Sequence, residues 1–299
     1  MAKKIINIGV SVRQKLLDIA RQSNRDYNAL IVQYFQERLL YRISISPYRN
    51  NFILKGAFLF LAYEMPRLRP TKDIDFLGTG ISNDPENIKS IIEDIISLRS
   101  GDGVLFDRKS ISTESITEGA EYNGFRIKMY ASLDTIRQRI QMDIGFGDTI
   151  VPAPVEIEYP TIIDIDPPKI KVYTIESAIA EKFEALVKLS YLTSRYRDIY
   201  DILFLAQERE FLFDILNKAI NTTFKTRGTS LYDRNVVFSQ EFSRDKSRNE
   251  QWEAFLKRNE LDSISPFSEA MHRLKKFLEP VCVKNNKYRS WNSSKWVWR

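Results

Sequence analysis

A cluster of prolines constrains the fold of this chain more than any other feature of its sequence. Between residues 151 and 168 lie Pro152, Pro154, Pro160, Pro167 and Pro168. Proline lacks a backbone N–H and fixes its own φ, so this segment can form neither a long helix nor a central strand. We interpret it as a linker and predict two domains, residues 1–165 and 166–299.

Hydrophobic periodicity differs on the two sides of this linker. Before it, helical spacing marks residues 11–21, with Ser11 as N-cap, and 29–41, and alternating segments follow at 104–108, 125–130 and 139–146. After it, helical patterns begin at Thr174 and near Ser194 and continue to Leu278. We predict an α+β protein, with a mixed, largely antiparallel sheet flanked by helices and then a helical C-terminal domain.

Composition narrows the chemistry that the chain can perform. The 299 residues are 43% hydrophobic, enough for a substantial core. The one cysteine, Cys282, and the one histidine, His272, exclude a disulfide framework and any Cys- or His-rich metal cage. Metal chemistry would therefore use oxygen ligands. The start resembles no secretory signal and the apolar runs are too short for a membrane span, so we expect a soluble, cytoplasmic protein.

The positive charge is concentrated in the C-terminal part of the chain. The net charge is +6, and residues 221–299 hold 16 Lys and Arg against 9 Asp and Glu. The last residues, from 284 to 299, interleave cations with tyrosine and tryptophan. This pattern is typical of a surface that contacts phosphates and stacks on bases. It is equally typical of an ordinary basic surface.

The carboxylates Asp73 and Asp75 are the strongest chemical signal. In an extended segment, residues i and i+2 project to the same side, while Ile74 and Phe76 project to the other. Two carboxylates in one small space repel each other unless a cation neutralises them, and Mg²⁺ prefers hard oxygen ligands. The pair therefore predicts a metal site. An exposed Asp-x-Asp turn is the alternative.

A third carboxylate and a glycine support the same interpretation. Strict alternation in residues 140–146 places Asp143 opposite the apolar face of a strand, where it is either a metal ligand, a base or a solvent-facing residue. Upstream, Gly56 in Leu54-Lys55-Gly56-Ala57 offers a turn where backbone N–H groups can approach phosphate.

A lysine and an aspartate lie on apolar helix faces beyond the linker. Lys182 fills a gap in the stripe of Ile179 and Leu186, so it either snorkels to solvent or offsets phosphate charge. Asp198 lies along the packed face of the next helix and needs a partner, for which Lys182 is the candidate. Asp201 resembles a cap or a partner of Arg197.

Together these residues resemble the AbiEii family of nucleotidyltransferase toxins. The resemblance rests on Leu54-Lys55-Gly56-Ala57, on Arg69-Pro70-Thr71-Lys72-Asp73-Ile74-Asp75-Phe76, and then on Asp143, Lys182 and Arg197-Asp198-x-x-Asp201. It extends from about Ser11 to the region of Trp252. Ala57 departs from the family pattern, in which Ser, Gly or Thr follows the glycine, and the interval from Gly56 to Asp73 is longer than the commonest form.

The resemblance implies a DNA polymerase β-like nucleotidyltransferase fold and a toxin of a type IV toxin–antitoxin system, some of which act in abortive infection as phage defence. It implies transfer of nucleotides from an NTP, in characterised members to the 3′ end of tRNA, and a cognate antitoxin encoded by a neighbouring gene. The residues that it assigns to catalysis are Asp73, Asp75, Asp143, Lys182 and Asp198. We expect Lys55, Gly56, Ala57, Thr71, Lys72 and Lys182 to bind the nucleotide, and Asp73, Asp75 and Asp143 to bind Mg²⁺ or Mn²⁺.

We therefore hypothesise transfer of a nucleoside monophosphate to an acceptor hydroxyl, with tRNA as the expected acceptor. In this hypothesis Asp143 or Asp198 positions or deprotonates the hydroxyl, and the basic C-terminal part contacts the acceptor. Ala57 motivates an alternative, a catalytically impaired protein of the same fold that binds a nucleotide or a partner. A metal-dependent nuclease would use the same carboxylates.

Overall fold

The computed structural model describes residues 7–63, 73–117, 123–192, 194–261, 266–283 and 287–299. The chain divides into two units, Met1–Gly147 with Val155–Val172, and Asp148–Pro154 with Tyr173–Arg299. Our boundary between residues 165 and 166 differs from this division in the placement of residues 148–154 and 166–172.

The first unit is built on a mixed sheet. Its strands are β1 (Phe52–Lys55), β2 (Asp73–Gly78), β3 (Val104–Thr117), β4 (Asn123–Leu133), β5 (Ile136–Phe146), β6 (Val155–Glu158) and β7 (Lys169–Val172). Within the described residues their order is β3-β4-β5-β2-β1-β7-β6. The β1–β7 and β2–β5 pairs are parallel and the other pairs are antiparallel. The proline-rich segment thus supplies only an edge strand, β6, as proline requires.

The helices of this unit are α1 (Ile8–Ser23), α2 (Tyr27–Ile45), α3 (Phe58–Ala62) and α4 (Pro85–Ser97). Helices α1, α2 and α4 contact the sheet, whose buried side chains include Ile74, Met142 and Ile144. Asp84 caps α4 by accepting a hydrogen bond from Asn87 N–H at 2.9 Å. Ser11 is not the cap of α1: the side chain of Asn7 accepts from Val10 N–H at 3.2 Å, and the helix begins earlier than predicted.

A buried ion cluster connects α2 with the loop before β3. Arg42 donates to both oxygens of Asp102, at 2.7 and 3.1 Å, and Arg38 Nε donates to the same carboxylate at 3.0 Å. All three side chains are buried. Burial alone would raise the pKa of Asp102, but the hydrogen bonds and charge of Arg42, assisted by Ser100 and the Val104 N–H, hold it below its usual value.

The second unit is helical, as predicted. Its helices are α5 (Ile175–Leu189), α6 (Tyr196–Glu208), α7 (Phe213–Thr226), α8 (Arg234–Val237), α9 (Gln240–Arg244), α10 (Lys246–Arg258) and α11 (Phe267–Leu278), and a short hairpin of β8 (Trp291–Asn292) and β9 (Val297–Trp298) follows. The α+β class and the helical C-terminal part are thus confirmed. None of the helices in the described ranges has both the length and the apolar character that a membrane span requires.

The tryptophans of the C-terminal hairpin lie mostly in the core. Trp291 and Trp298 are buried, and their indole N–H groups donate to Ala206 O at 2.7 Å and to Phe277 O at 2.8 Å. These two rings therefore stabilise the packing of the hairpin on α6 and α11. They are not the exposed stacking platform that the sequence suggested.

Replacement of Asp102 tests the buried cluster. Asp102→Ala leaves two buried guanidinium groups without their carboxylate, so we expect a loss of about 3–5 kcal/mol in the free energy of unfolding, measured with urea. Asp107→Ala is the matched control, because Asp107 is partly exposed in its pair with Arg137 and its loss should cost at most about 1 kcal/mol. Equal losses in the two variants would contradict a stabilising role for the cluster.

The stability difference between the wild type and Asp102→Ala should also depend on pH. Since the folded pKa of Asp102 is lowered, its stabilising contribution is complete above the unfolded pKa and disappears as the pH falls through the folded value. The difference in unfolding free energy between wild type and Asp102→Ala should therefore narrow in acid.

Candidate functional site

Strand β2 presents Asp73 and Asp75 on one face of the sheet. Both side chains are partly exposed, whereas Ile74 and Phe76 between and beyond them are buried at 0% and 1% exposure. The alternation arises because successive strand residues project to opposite faces. The two carboxylates therefore share the polar face, as the sequence predicted.

Strand register aligns further charged residues with this pair. Asp75 lies opposite Lys55 on β1 and opposite Asp143 on β5, and Asp143 lies opposite Arg126 on β4. In-register neighbours on adjacent strands project to the same face. The structure thus places Asp73, Asp75 and Asp143 on one face. Asp75 and Asp143 lie side by side, with the cations Lys55 and Arg126 at the two ends of their row.

Arg126 engages the carboxylate of Asp143. Its Nε and Nη2 donate to the two carboxylate oxygens at 3.0 and 2.7 Å, and Gln141 Nε2 donates to the same group at 3.2 Å. The hydrogen bonds with Asp143 raise the pKa of Arg126 despite partial burial, and the charge of Asp73 adds to this effect. Within the described residues, no three His, Cys, Asp or Glu side chains form a metal-binding group. Asp143 as a third metal ligand stays a prediction.

Arg126 is a residue that the sequence reasoning missed. Its neighbours Phe125, Ile127 and Met129 are buried, so alternation in β4 places Arg126 on the polar face. That pattern was available in the sequence. The partner strand and its register were not.

Gly56 forms a cradle for the Asp75 carboxylate. Its φ is +70°, and a Cβ added there would lie 1.9 Å from Asp75 Oδ2. The residue is therefore glycine for both backbone conformation and space. A Cβ on Gly145 would lie 3.7 Å from Lys55 Nζ, which places that ammonium group over β5. Two carboxylates on one face, beside a lysine, are a donor set that suits Mg²⁺ and a nucleotide's phosphates.

The remaining residues predicted to bind the nucleotide differ in what the structure describes. Ala57 immediately precedes α3 and contributes no side-chain hydrogen bond as its cap. Thr71 and Lys72 lie outside the described residues, so their assignment stays a prediction.

In the second unit, Lys182 joins two aspartates. Its Nζ donates to Asp198 Oδ1 and to Asp201 Oδ2, each at 2.8 Å, and Arg195 donates to Asp198 Oδ2 at 3.1 Å. The Lys182–Asp198 ion pair is the one that we predicted. Asp201, expected to be a cap or a partner of Arg197, is instead a second partner of Lys182, and its side chain is only 2% exposed.

Burial and charge act in opposite directions in this cluster. Burial alone would lower the pKa of Lys182, but the charges of Asp198 and Asp201 and their hydrogen bonds outweigh it, and the pKa is raised. Burial alone would raise the pKa of Asp198, and Lys182 and then Arg195 hold it below its usual value. The lysine is therefore charged, and it is not the snorkelling residue of the alternative interpretation.

Comparison with known families identifies the family to which this chain belongs. The model of the family described as nucleotidyl transferase AbiEii toxin, type IV toxin–antitoxin system, matches residues 38–275. This chain belongs to the AbiEii nucleotidyltransferase toxin family, and is a nucleotidyltransferase by that membership. Membership implies an NTP substrate and a partner antitoxin. No curated protein matches.

Solved structures show more distant similarity. A proposed nucleotidyltransferase from H. pylori is 18% identical with a TM-score of 0.44, and the match covers 87% of this chain and 100% of that chain. JHP933 from Helicobacter pylori is 16% identical with a TM-score of 0.41, with coverage of 86% and 98%. An antigenic nucleotidyltransferase-like protein from Paracoccidioides brasiliensis is 13% identical with a TM-score of 0.33, with coverage of 67% and 88%. Similarities this distant assign no substrate.

Gly56→Ala tests the cradle, with Gly101→Ala as its matched control. Both glycines have positive φ, +70° and +63°, but a Cβ at 101 meets no atom of the described residues within 4 Å. The left-handed backbone should therefore cost each variant roughly 1–2 kcal/mol of stability. The collision with Asp75 adds to that cost in Gly56→Ala alone. Only Gly56→Ala displaces Asp75, so only this variant should lose nucleotidyl transfer. Loss of activity in both variants would show that backbone strain, and not the collision, is responsible.

Lys182→Met tests the ion cluster of the second unit. The variant leaves the buried carboxylates of Asp198 and Asp201 without their lysine, and we expect it to lose about 3–5 kcal/mol of unfolding free energy in urea titrations. Lys188→Met, on the exposed side of the same helix, should change stability by no more than about 0.5 kcal/mol. A stable Lys182→Met protein would exclude the structural role.

Proposed function

We propose that the protein transfers a nucleoside monophosphate from an NTP to an acceptor hydroxyl, in a Mg²⁺-dependent reaction at the Asp73–Asp75 face. The observation that carries the proposal is the cradle of Gly56 around Asp75, in register with Lys55 and Asp143. The expected acceptor is the 3′ end of tRNA. The expected location is the cytoplasm.

Each side chain of the polar face has a role in this proposal. Asp73 and Asp75 hold Mg²⁺, for which Mn²⁺ is a substitute, and the bound ion supplies charge stabilisation to the phosphates. Lys55 lies beside the carboxylates as a cation for phosphate oxygens. Because both Asp143 oxygens accept from Arg126, Asp143 is better suited to orient the attacking hydroxyl than to remove its proton.

The covalent step forms one bond and breaks another. The acceptor oxygen bonds to the α-phosphorus of the NTP, and the bond from that phosphorus to the bridging oxygen breaks. Pyrophosphate leaves with the electron pair, and the proton of the hydroxyl passes to solvent water, because both oxygens of Asp143 already accept hydrogen bonds from Arg126.

A toxin that modifies RNA requires control in its own cell. We propose that an antitoxin encoded by a neighbouring gene counteracts the activity, and that the pair acts in abortive infection. Membership in a type IV toxin–antitoxin family supports this proposal.

The decisive test incubates the purified protein with total tRNA, Mg²⁺ or Mn²⁺, and each of the four NTPs labelled at the α-phosphate. Wild type should label and lengthen RNA with at least one NTP. Asp75→Asn and Asp73→Asn should slow the reaction by at least about 100-fold, since metal charge stabilisation is worth several kcal/mol. Asp107→Asn, a partly exposed aspartate on β3, should retain the wild-type rate.

Other products would identify other functions. If no NTP labels RNA or protein but calorimetry shows that an NTP binds, the protein is the impaired nucleotide-binding protein that Ala57 suggests. Shortened RNA would identify a nuclease.

A further inference from the structure

A polar groove of about 540 Å³ lies between α11 and the C-terminal hairpin, within the second unit. One wall is the polar face of α11. The other is the turn that joins β8 to β9. The volume is that of a ligand-sized site.

The first wall follows from the amphipathic pattern of α11. Glu269, His272, Arg273 and Lys276 recur at intervals of three, one and three residues, so they lie on one face of the helix. The opposite face, which includes Leu274, packs into the core. Burial of the apolar side therefore fixes the direction in which the cationic side faces the groove.

The second wall is a turn of four residues, Ser293 to Trp296. Trp296 has a φ of +53°, a conformation that side chains rarely adopt. Its indole N–H donates to Arg273 O at 3.3 Å, and its ring packs edge-to-face on Trp291 at 5.3 Å. The ring is thus held in a strained backbone position, and unlike the buried Trp291 and Trp298 it stays partly exposed.

The groove carries an excess of positive charge. Among the described residues, Arg273, Lys276 and Lys295 line it together with a single acid, Glu269. That acid accepts a hydrogen bond from Arg273 at 2.9 Å. Lys276 and Lys295 are exposed. A polyanion is therefore the ligand class that this groove fits.

We propose that the groove binds a single-stranded segment of the RNA acceptor, with phosphates on Lys276 and Lys295 and one base against Trp296. Cations that follow a backbone, together with an aromatic ring for an unstacked base, form the usual site for single-stranded nucleic acid. An acidic protein would satisfy the lysines but would not require a ring held in the groove wall. The proposal rests on the proposed function, because it names where that reaction's acceptor is held.

The test measures RNA affinity without catalysis, by fluorescence anisotropy of labelled total tRNA and of a single-stranded oligonucleotide, with no NTP or Mg²⁺ present. Lys276→Gln/Lys295→Gln should weaken binding at low salt and reduce the slope of log Kd against log salt by about 1.4, at roughly 0.7 for each phosphate contact. Lys218→Gln/Lys246→Gln removes the same charge from exposed positions outside the groove and should leave the slope unchanged. Equal effects of the two double variants would overturn the proposal.

Trp296 supplies an independent readout. Trp296→Ala should weaken oligonucleotide binding by roughly fivefold or more, the loss expected for one stacked base. Trp296→Phe keeps an aromatic face and should restore most of the affinity, which a purely structural role for the indole would not predict. Failure of Phe to restore binding while the circular dichroism of both variants matches wild type would overturn the stacking contact.

The outcomes separate this proposal from the proposed function. Groove-dependent RNA binding by a protein that transfers no nucleotide would support the groove and contradict the enzyme mechanism. If the protein transfers nucleotides to RNA but neither groove variant changes RNA binding, the enzyme mechanism is supported and the groove proposal is overturned. Groove-dependent binding of polyglutamate, with RNA binding unaffected, would assign the surface to an acidic protein partner and overturn the RNA proposal.

Discussion

The placement of β2 between β1 and β5 is the constraint on which the candidate site depends. A shift of one residue in this register would turn Asp73 and Asp75 into the apolar face and bring Ile74 out to solvent. The burial of Ile74 and Phe76 therefore stabilises the sheet and also determines where the carboxylates project. The charged row across four strands follows from that one register, since each partner strand meets β2 or its neighbour at the same level.

Each unit also contains an ion cluster. The two clusters differ in how far solvent reaches them, and therefore in the roles that they can have. Arg42 and Asp102 are almost fully buried and saturated with hydrogen bonds, which suits them to hold α2 against the loop before β3. Lys182 and Asp198 have side chains that are 15% and 12% exposed. A cluster with that residual access can hold helices together and also meet a ligand. The charged state of Lys182, maintained by two aspartates, stabilises the packing of α6 on α5.

Local patterns predicted the fold well, and long-range pairing explains most of what they missed. Alternation in β5 placed Asp143 on the polar face, and the helical patterns of residues 11–21 and 29–41 lie within α1 and α2. The fork from Arg126 to Asp143 depended on which strand lies beside β5, and the second bond from Lys182 to Asp201 depended on how α6 packs on α5. Neither neighbour can be read from spacing alone. The prediction of Ser11 as the N-cap of α1 was wrong for a local reason. Ser11 and Asn7 are both good caps, and the helix begins at the earlier one.

The C-terminal hairpin shows why composition alone left two interpretations of the basic tail. Cations interleaved with aromatic residues indicate a nucleic-acid surface only if the aromatic residues remain accessible, and the sequence does not say which will be buried. Two of the three hairpin tryptophans fill the core, and the third packs on one of them, Trp291, at the edge of a groove. The core residues thus determine the position of Trp296, and the apolar face of α11 determines the position of its cations. The shape of the groove, more than the net charge of the region, is what distinguishes this surface from an ordinary basic one.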